Sequence, residues 1–204
     1  MTTSTTLSHI HQFVPATEPG RAPLLLLHGT GGDEHDLLPL GRAVAPGAAL
    51  LSPRGQVLEG GMPRFFRRLA EGVFDEQDVI RRAHELADFV QEARDAYKLP
   101  APIALGFSNG ANIAAAALQL RPGALAGAVL LRAMVPLQSA PKADLNGTPV
   151  LILSGDLDPI VPDENAARLA ATLRRAGTAV DHRTLPTGHN LSQADLTLAK
   201  AWLD

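Results

Sequence analysis

Cysteine is absent from the 204 residues. That excludes disulfides, thiolate metal sites and a cysteine nucleophile, and it fits a reducing compartment, so a cytoplasmic location is expected. No run of about 18 apolar residues occurs, so no transmembrane helix and no membrane partner is expected. Positive charge is not in excess either. With 18 Lys and Arg against 21 Asp and Glu the net charge is −3, and no basic stripe exists of the kind that nucleic-acid binding needs. The start, Met1 to Thr6, is rich in Thr and Ser and lacks the charged and apolar regions of a signal peptide. His9 and His11 alternate along a candidate strand and would face one side. No third ligand lies near them in sequence, so they are read as surface residues and no metal is expected.

Apolar residues make up 46% and charged residues 19%, ordinary for a globular protein. The length favours one domain over residues 1–204 with a substantial core. Candidate strands are Ile10–Val14, Leu24–Leu27, Ala48–Ser52, Ile103–Phe107, Ala128–Leu131, Val150–Ser154 and Val180–Leu185. Several are continuously apolar, as strands buried on both faces of a parallel sheet should be. Candidate helices are His35–Val44, Asp75–Tyr97, Asn109–Leu120, Asp163–Ala176 and Ser192–Leu203. Alternating strands and helices imply an α/β fold with a mostly parallel central sheet and helices on both faces.

One stretch resists the pattern. Arg54 to Phe74 holds four arginines and three of the six phenylalanines, and it is long for a connection. It reads equally as a surface excursion over a small satellite core or as a loop or short cap near the active site. On the second reading Met62, Phe65 and Phe66, with Met134 just past a strand end, are expected as walls of an apolar pocket.

The most informative segment is Gly106-Phe107-Ser108-Asn109-Gly110, between an apolar strand and an alanine-rich helix. This is G-x-S-x-G in the context that gives the motif meaning. Large side chains two positions either side of the serine would collide across the turn. The serine would project above the sheet edge at a helix N-terminus, where developing negative charge is favoured. A glycine-rich turn with an N-capping serine is the competing reading.

A serine nucleophile needs a base, and in this arrangement the chain order is Ser, then Asp or Glu, then His. Only His182 and His189 follow Ser108. His182 lies inside a candidate strand. His189 lies in a loop after the last strand, where a base can reach the serine. Asp156 and Asp158 both follow the Val150–Ser154 strand as candidate acids, and spacing slightly favours Asp158, which precedes a rigid proline. Asp163 is read as a helix cap. The oxyanion hole needs two backbone N–H groups. Asn109 supplies one, and Thr30, in His28-Gly29-Thr30-Gly31-Gly32, is the candidate for the other. His28 is read as a structural partner of that loop. The loop lacks the lysine and spacing of a phosphate-binding loop. Arg132 is a candidate for an anionic substrate group, with a surface or structural ion pair the stronger reading.

These pieces resemble the phospholipase/carboxylesterase family of small α/β-hydrolases, and within it the bacterial branch that contains the hydroquinone-induced hydrolases. The matching segments are His28–Leu37, Ser52–Gly55, Gly106–Asn112, Met134–Pro136, Gly155–Pro162 and Gly188-His189, in order along nearly the whole chain. The resemblance implies an α/β-hydrolase fold without a large cap domain, a catalytic triad of Ser108, Asp158 and His189, and Thr30 as the early-loop donor. It also implies cofactor-free hydrolysis of short-chain or aromatic small-molecule esters through an acyl-enzyme, and often a homodimer. Asn109 departs from the thioesterase branch, which usually has glutamine there. Two other readings are carried: a thioesterase or lysophospholipase acting on longer acyl chains, and a non-catalytic small-molecule receptor on the same fold.

Overall fold

The apolar runs of the sequence become the buried strands of one sheet. In chain order the elements are β1 (His11–Val14), β2 (Leu24–Leu27), α1 (Leu38–Val44), β3 (Leu50–Pro53), β4 (Val57–Glu59), β5 (Met62–Arg64), β6 (Arg68–Ala70) and β7 (Val73–Phe74). Then follow α2 (Glu76–Tyr97), β8 (Ile103–Phe107), α3 (Asn109–Leu120), β9 (Gly127–Leu131), β10 (Pro149–Gly155), α4 (Asp163–Arg175), β11 (Ala179–Leu185) and α5 (Gln193–Leu203). The structure, a computed structural model, describes residues 7–139 and 141–204. The Met1–Thr6 segment lies outside the described residues.

Seven strands form a sheet in the order β1-β3-β2-β8-β9-β10-β11. β1 runs antiparallel to β3 and the other pairings are parallel. Side chains of period two divide between two cores. Leu25, Leu27, Leu130, Val150 and Ile152 join α2, α3 and α4 on one face. Leu24, Leu26, Leu131, Leu151 and Leu153 join α1 and α5 on the other. α3 is buried along nearly its whole length, which its alanines permit by letting it lie close to the sheet. Asp75 caps α2 by accepting from the Asp78 N–H at 3.2 Å.

α1 begins at Leu38 rather than His35. Asp33 accepts from the His35 N–H at 2.8 Å, an Asx turn that diverts the chain before the helix. Pro39, which has no N–H to donate, then sits in the first helical turn. Within the 54–74 stretch the chain forms two small hairpins, β4 with β5 and β6 with β7.

His9, expected at the surface, is buried and packs on Phe89 with ring centroids 4.7 Å apart. Burial pushes its imidazole down to about 4. Glu85 and Glu92 oppose the shift, while Arg82 and His11 add to it. The unfolded chain takes up this proton near pH 6.5 and the folded chain only near 4, so stability is full above 6.5 and falls as pH drops between the two. A displacement of this size corresponds to on the order of 3 kcal/mol at about 1.4 kcal/mol per pH unit. His28 and His182, also held low chiefly by burial, act in the same direction. Urea unfolding at pH 7 and pH 4.5 is expected to show this loss, and His9→Phe to reduce it.

Candidate active site

Two glycines make the turn after β8 possible. A Cβ on Gly110 would lie 2.0 Å from the Leu27 carbonyl oxygen, and one on Gly106 would lie 2.6 Å from the Gly110 carbonyl oxygen. No side chain fits at either position. Between them Ser108 has φ 51° and ψ −113°, a left-handed conformation that costs a non-glycine residue on the order of 1–3 kcal/mol. Its N–H donates to the Leu131 carbonyl at 2.9 Å, and its carbonyl accepts from Asn112 at 3.0 Å. The strained backbone is thus held by β9 and the first turn of α3, with the hydroxyl left free for other partners.

That hydroxyl meets His189. The distance from His189 Nε2 to Ser108 Oγ is 3.1 Å, and His189 Nδ1 lies 2.8 Å from Asp158 Oδ2. The other carboxylate oxygen of Asp158 accepts from the Ile160 and Val161 N–H groups at 2.8 and 3.0 Å. The Asp158 side chain is fully buried and His189 is 18% exposed, so the pair is shielded while the imidazole still faces the cavity. Asp156 is exposed on the same loop. His182 lies within β11, its Nε2 2.9 Å from Ser154 Oγ.

The Asn109 and Thr30 N–H groups have no protein acceptor among the described residues. The Gly31 N–H, by contrast, is spent on the Pro63 carbonyl at 3.0 Å. His28 sits beneath this loop. Its Nδ1 is 2.6 Å from the Gly29 carbonyl, and its Nε2 accepts from the Gly55 N–H at 2.9 Å. Accepting at Nε2 requires the neutral tautomer with the proton on Nδ1, which agrees with burial lowering its pKa.

Ser108, His189, Thr30 and Asn109 share a cavity of about 230 Å³ with Met134, Phe74, Phe107, Ile160 and Val161. Met134, expected as a wall, is one. Phe65 and Phe66 are not walls but core, 3% and 0% exposed, Phe65 tilted against His28 and Phe66 edge-on to Phe74. The cause lies in the backbone. The Phe65 N–H donates to Asn109 Oδ1 at 2.7 Å, and with Pro63 tied to Gly31 this fixes the strand so that both rings turn inward. Met62 is exposed and packs beside Gly31, outside the cavity.

Residues 9–204 match the family model described as Phospholipase/Carboxylesterase. The chain belongs to that family. It is 48% identical over 181 residues to the putative hydrolase MhqD of Bacillus subtilis (strain 168), an alignment covering 88% of this chain and 90% of that protein. The crystal structure of the Bacillus cereus carboxylesterase superposes with a TM-score of 0.93 at 44% identity, covering 98% of this chain and 94% of that one. YahD, solved with malic acid, gives a TM-score of 0.90 at 30% identity over 96% of this chain and 98% of that one. The fold is accordingly that of the α/β-hydrolases, and the chain is a carboxylic ester hydrolase.

In this hydrolase Arg132 is a structural ion pair, as its stronger reading had it. It is fully buried, and Nη1 and Nη2 donate to the Asp195 carboxylate at 2.8 Å each. Nε donates to the Gly188 carbonyl at 3.0 Å and Nη2 to the Asn190 carbonyl at 3.2 Å, the two carbonyls that flank His189. Burial by itself would raise the Asp195 carboxyl, but its bonds to Arg132 and Ser192 hold it below the usual range.

Sequence reasoning missed Arg64, Asn112 and the second role of Asn109. Asn112 Oδ1 accepts from the Met134 N–H at 2.7 Å, fixing the chain after β9 at the cavity wall. The available signal is two asparagines in the first turn of a helix that, apart from Gly110 and Gln119, is otherwise alanine, leucine and isoleucine, where a buried amide needs a partner. Asp33, Glu34 and His35 bring ligand-type atoms within 4.8 Å of one another. Glu34 is already bonded to the Arg54 guanidinium at 2.7 Å, and the group reads as an ion-pair network.

Proposed function

We propose that the protein is a serine carboxylesterase acting on small, short-chain or aromatic esters through Ser108, His189 and Asp158. The observation that carries this reading is the continuous line from Asp158 Oδ2 to His189 Nδ1 and from His189 Nε2 to Ser108 Oγ, at 2.8 and 3.1 Å. His189 takes the Ser108 proton as Oγ attacks the ester carbonyl carbon. The Thr30 and Asn109 N–H groups stabilise the oxyanion. As the tetrahedral intermediate collapses, the C–O bond to the alcohol breaks and His189 protonates the leaving oxygen. Water, deprotonated by His189, then releases the acid and restores Ser108. Asp158 keeps the imidazole proton on Nδ1 and stabilises the imidazolium.

The cavity of about 230 Å³ is below the roughly 300–1,000 Å³ of drug-sized ligand sites, which favours a short acyl group. A second reading, hydrolysis of longer acyl thioesters or lysophospholipids, draws on a groove of about 1020 Å³ that shares the Gly72 and Phe74 walls. Two measurements test these statements. A fluorophosphonate probe followed by peptide mass spectrometry is expected to modify Ser108, and modification at another residue instead would overturn the assignment. Across nitrophenyl esters from acetate to dodecanoate, kcat/KM is expected to fall with chain length. A rise would favour the second reading.

A further inference from the structure

The wall of the Ser108 cavity carries a guanidinium that hydrolysis as described does not use. Arg64, the last residue of β5, lines the cavity and is only 3% exposed. Its Nη1 donates to Thr30 Oγ1 at 2.7 Å and its Nε to the Phe66 carbonyl at 3.2 Å. Both acceptors are neutral. The carboxylate that reaches it is Glu59, 3.4 Å from Nε, and Arg68 already grips that carboxylate through contacts of 2.7, 3.0 and 3.1 Å. Arg68 lines the same cavity. One carboxylate therefore serves two guanidiniums, and positive charge is in excess at this end.

The other cavity charges do not cancel it locally. Arg132 is matched by Asp195. Glu71 is exposed, and makes no ion pair among the described residues, so solvent screens it. Burying a guanidinium without full compensation is costly, and a substrate carboxylate offsets that cost. The planar fork of arginine also suits a carboxylate better than a point charge would. The bond to Thr30 Oγ1 places Arg64 against the very residue whose N–H faces the reacting carbonyl oxygen. An anion that meets Arg64 thus sits a few atoms from the scissile bond.

We propose that Arg64, assisted by Arg68, selects esters whose short acyl chain ends in a carboxylate, that is, monoesters of short dicarboxylic acids. This rests on the esterase reading of Ser108 and names its substrate class. The test compares monomethyl glutarate with methyl pentanoate, which match in length and differ in carboxylate against methyl. At pH 7.5 and low salt, kcat/KM is expected to favour the glutarate by tenfold or more, with the gap narrowing as salt is added. Arg64→Gln is expected to bring the two esters close to parity, Arg64→Lys to keep part of the preference, and Arg68→Gln to weaken it less. Equal or better turnover of methyl pentanoate by the unmodified protein would overturn the proposal, and needs no variant to fold. So would an Arg64→Gln enzyme that loses both activities by the same factor, since Arg64 would then only position Thr30. If neither ester nor nitrophenyl acetate is hydrolysed, the esterase reading fails and takes this one with it.

Discussion

Ser108→Ala is expected to lower kcat for ester hydrolysis on the order of 10⁶-fold while leaving the protein folded. The size follows from how such groups work together. On the proposed reading His189 and Asp158 have nothing to activate once Ser108 is gone, and what is left comes from the oxyanion donors and substrate binding alone. The backbone gives a second, less obvious outcome. Ser108 sits at φ 51° because Gly106 and Gly110 close the turn around it, and alanine keeps the Cβ that makes this conformation unfavourable. Ser108→Gly removes it. The glycine variant is therefore expected to be as inactive as the alanine variant but more stable by about 1 kcal/mol, a rise of roughly 2–4 °C in Tm for a chain of this size. Thermal melts of the two variants check this. A glycine variant that melts below the alanine variant would show that the turn at Ser108 is not a strained site.

The legible parts of the molecule are those whose pattern is local. Leu24–Leu27 and Ile103–Phe107 could be placed to the residue because a strand covered on both faces must be apolar throughout, and both fall as expected. The turn at Ser108 is legible because its pattern of glycines spans only five residues, although of the two steric demands only that on Gly106 is local, a Gly110 Cβ meeting Leu27 of β2 instead. The line from Asp158 through His189 to Ser108 joins residues chosen by chain order and by family resemblance, and their roles stand as the reading proposed above. The hairpins of 54–74 were not legible. Their strands are two to three residues long, too short for a period to show, and β5 and the Phe65 that follows it are held by bonds to Gly31, Thr30 and Asn109 far away in sequence. For the same reason the sequence alone suggests Phe65 and Phe66 as pocket walls. An aromatic pair beside an active site has no sequence mark that separates inward from outward, and the decision lies in a backbone bond to Asn109. The burial of His9 is not legible either, because strand alternation says nothing of Phe89, which comes from α2 to cover it.

Arg132→Met is expected to destabilise the protein by about 3–5 kcal/mol, although the residue lies outside the proposed catalytic line. Asp195 is 1% exposed, and without the guanidinium its carboxylate is a buried charge with only Ser192 left to bond. Breaking one side of such a pair costs far more than the pair contributes when intact. The loss should also reach the chemistry. Arg132 holds the carbonyls on both sides of His189, and displacing a base by about 1 Å lowers turnover on the order of 10²-fold. Stability and positioning can be separated. In an Arg132→Met, Asp195→Leu double variant the orphaned charge is gone, so much of the lost stability is expected to return, as measured by urea unfolding. The donors to Gly188 and Asn190 are still missing, so kcat is expected to stay low, with kcat for neutral esters the decisive readout at a temperature where both variants are folded. A double variant that regained full kcat along with its stability would mean that the imidazole is held by Asp158 alone, and that Arg132 serves the fold and nothing nearer to Ser108.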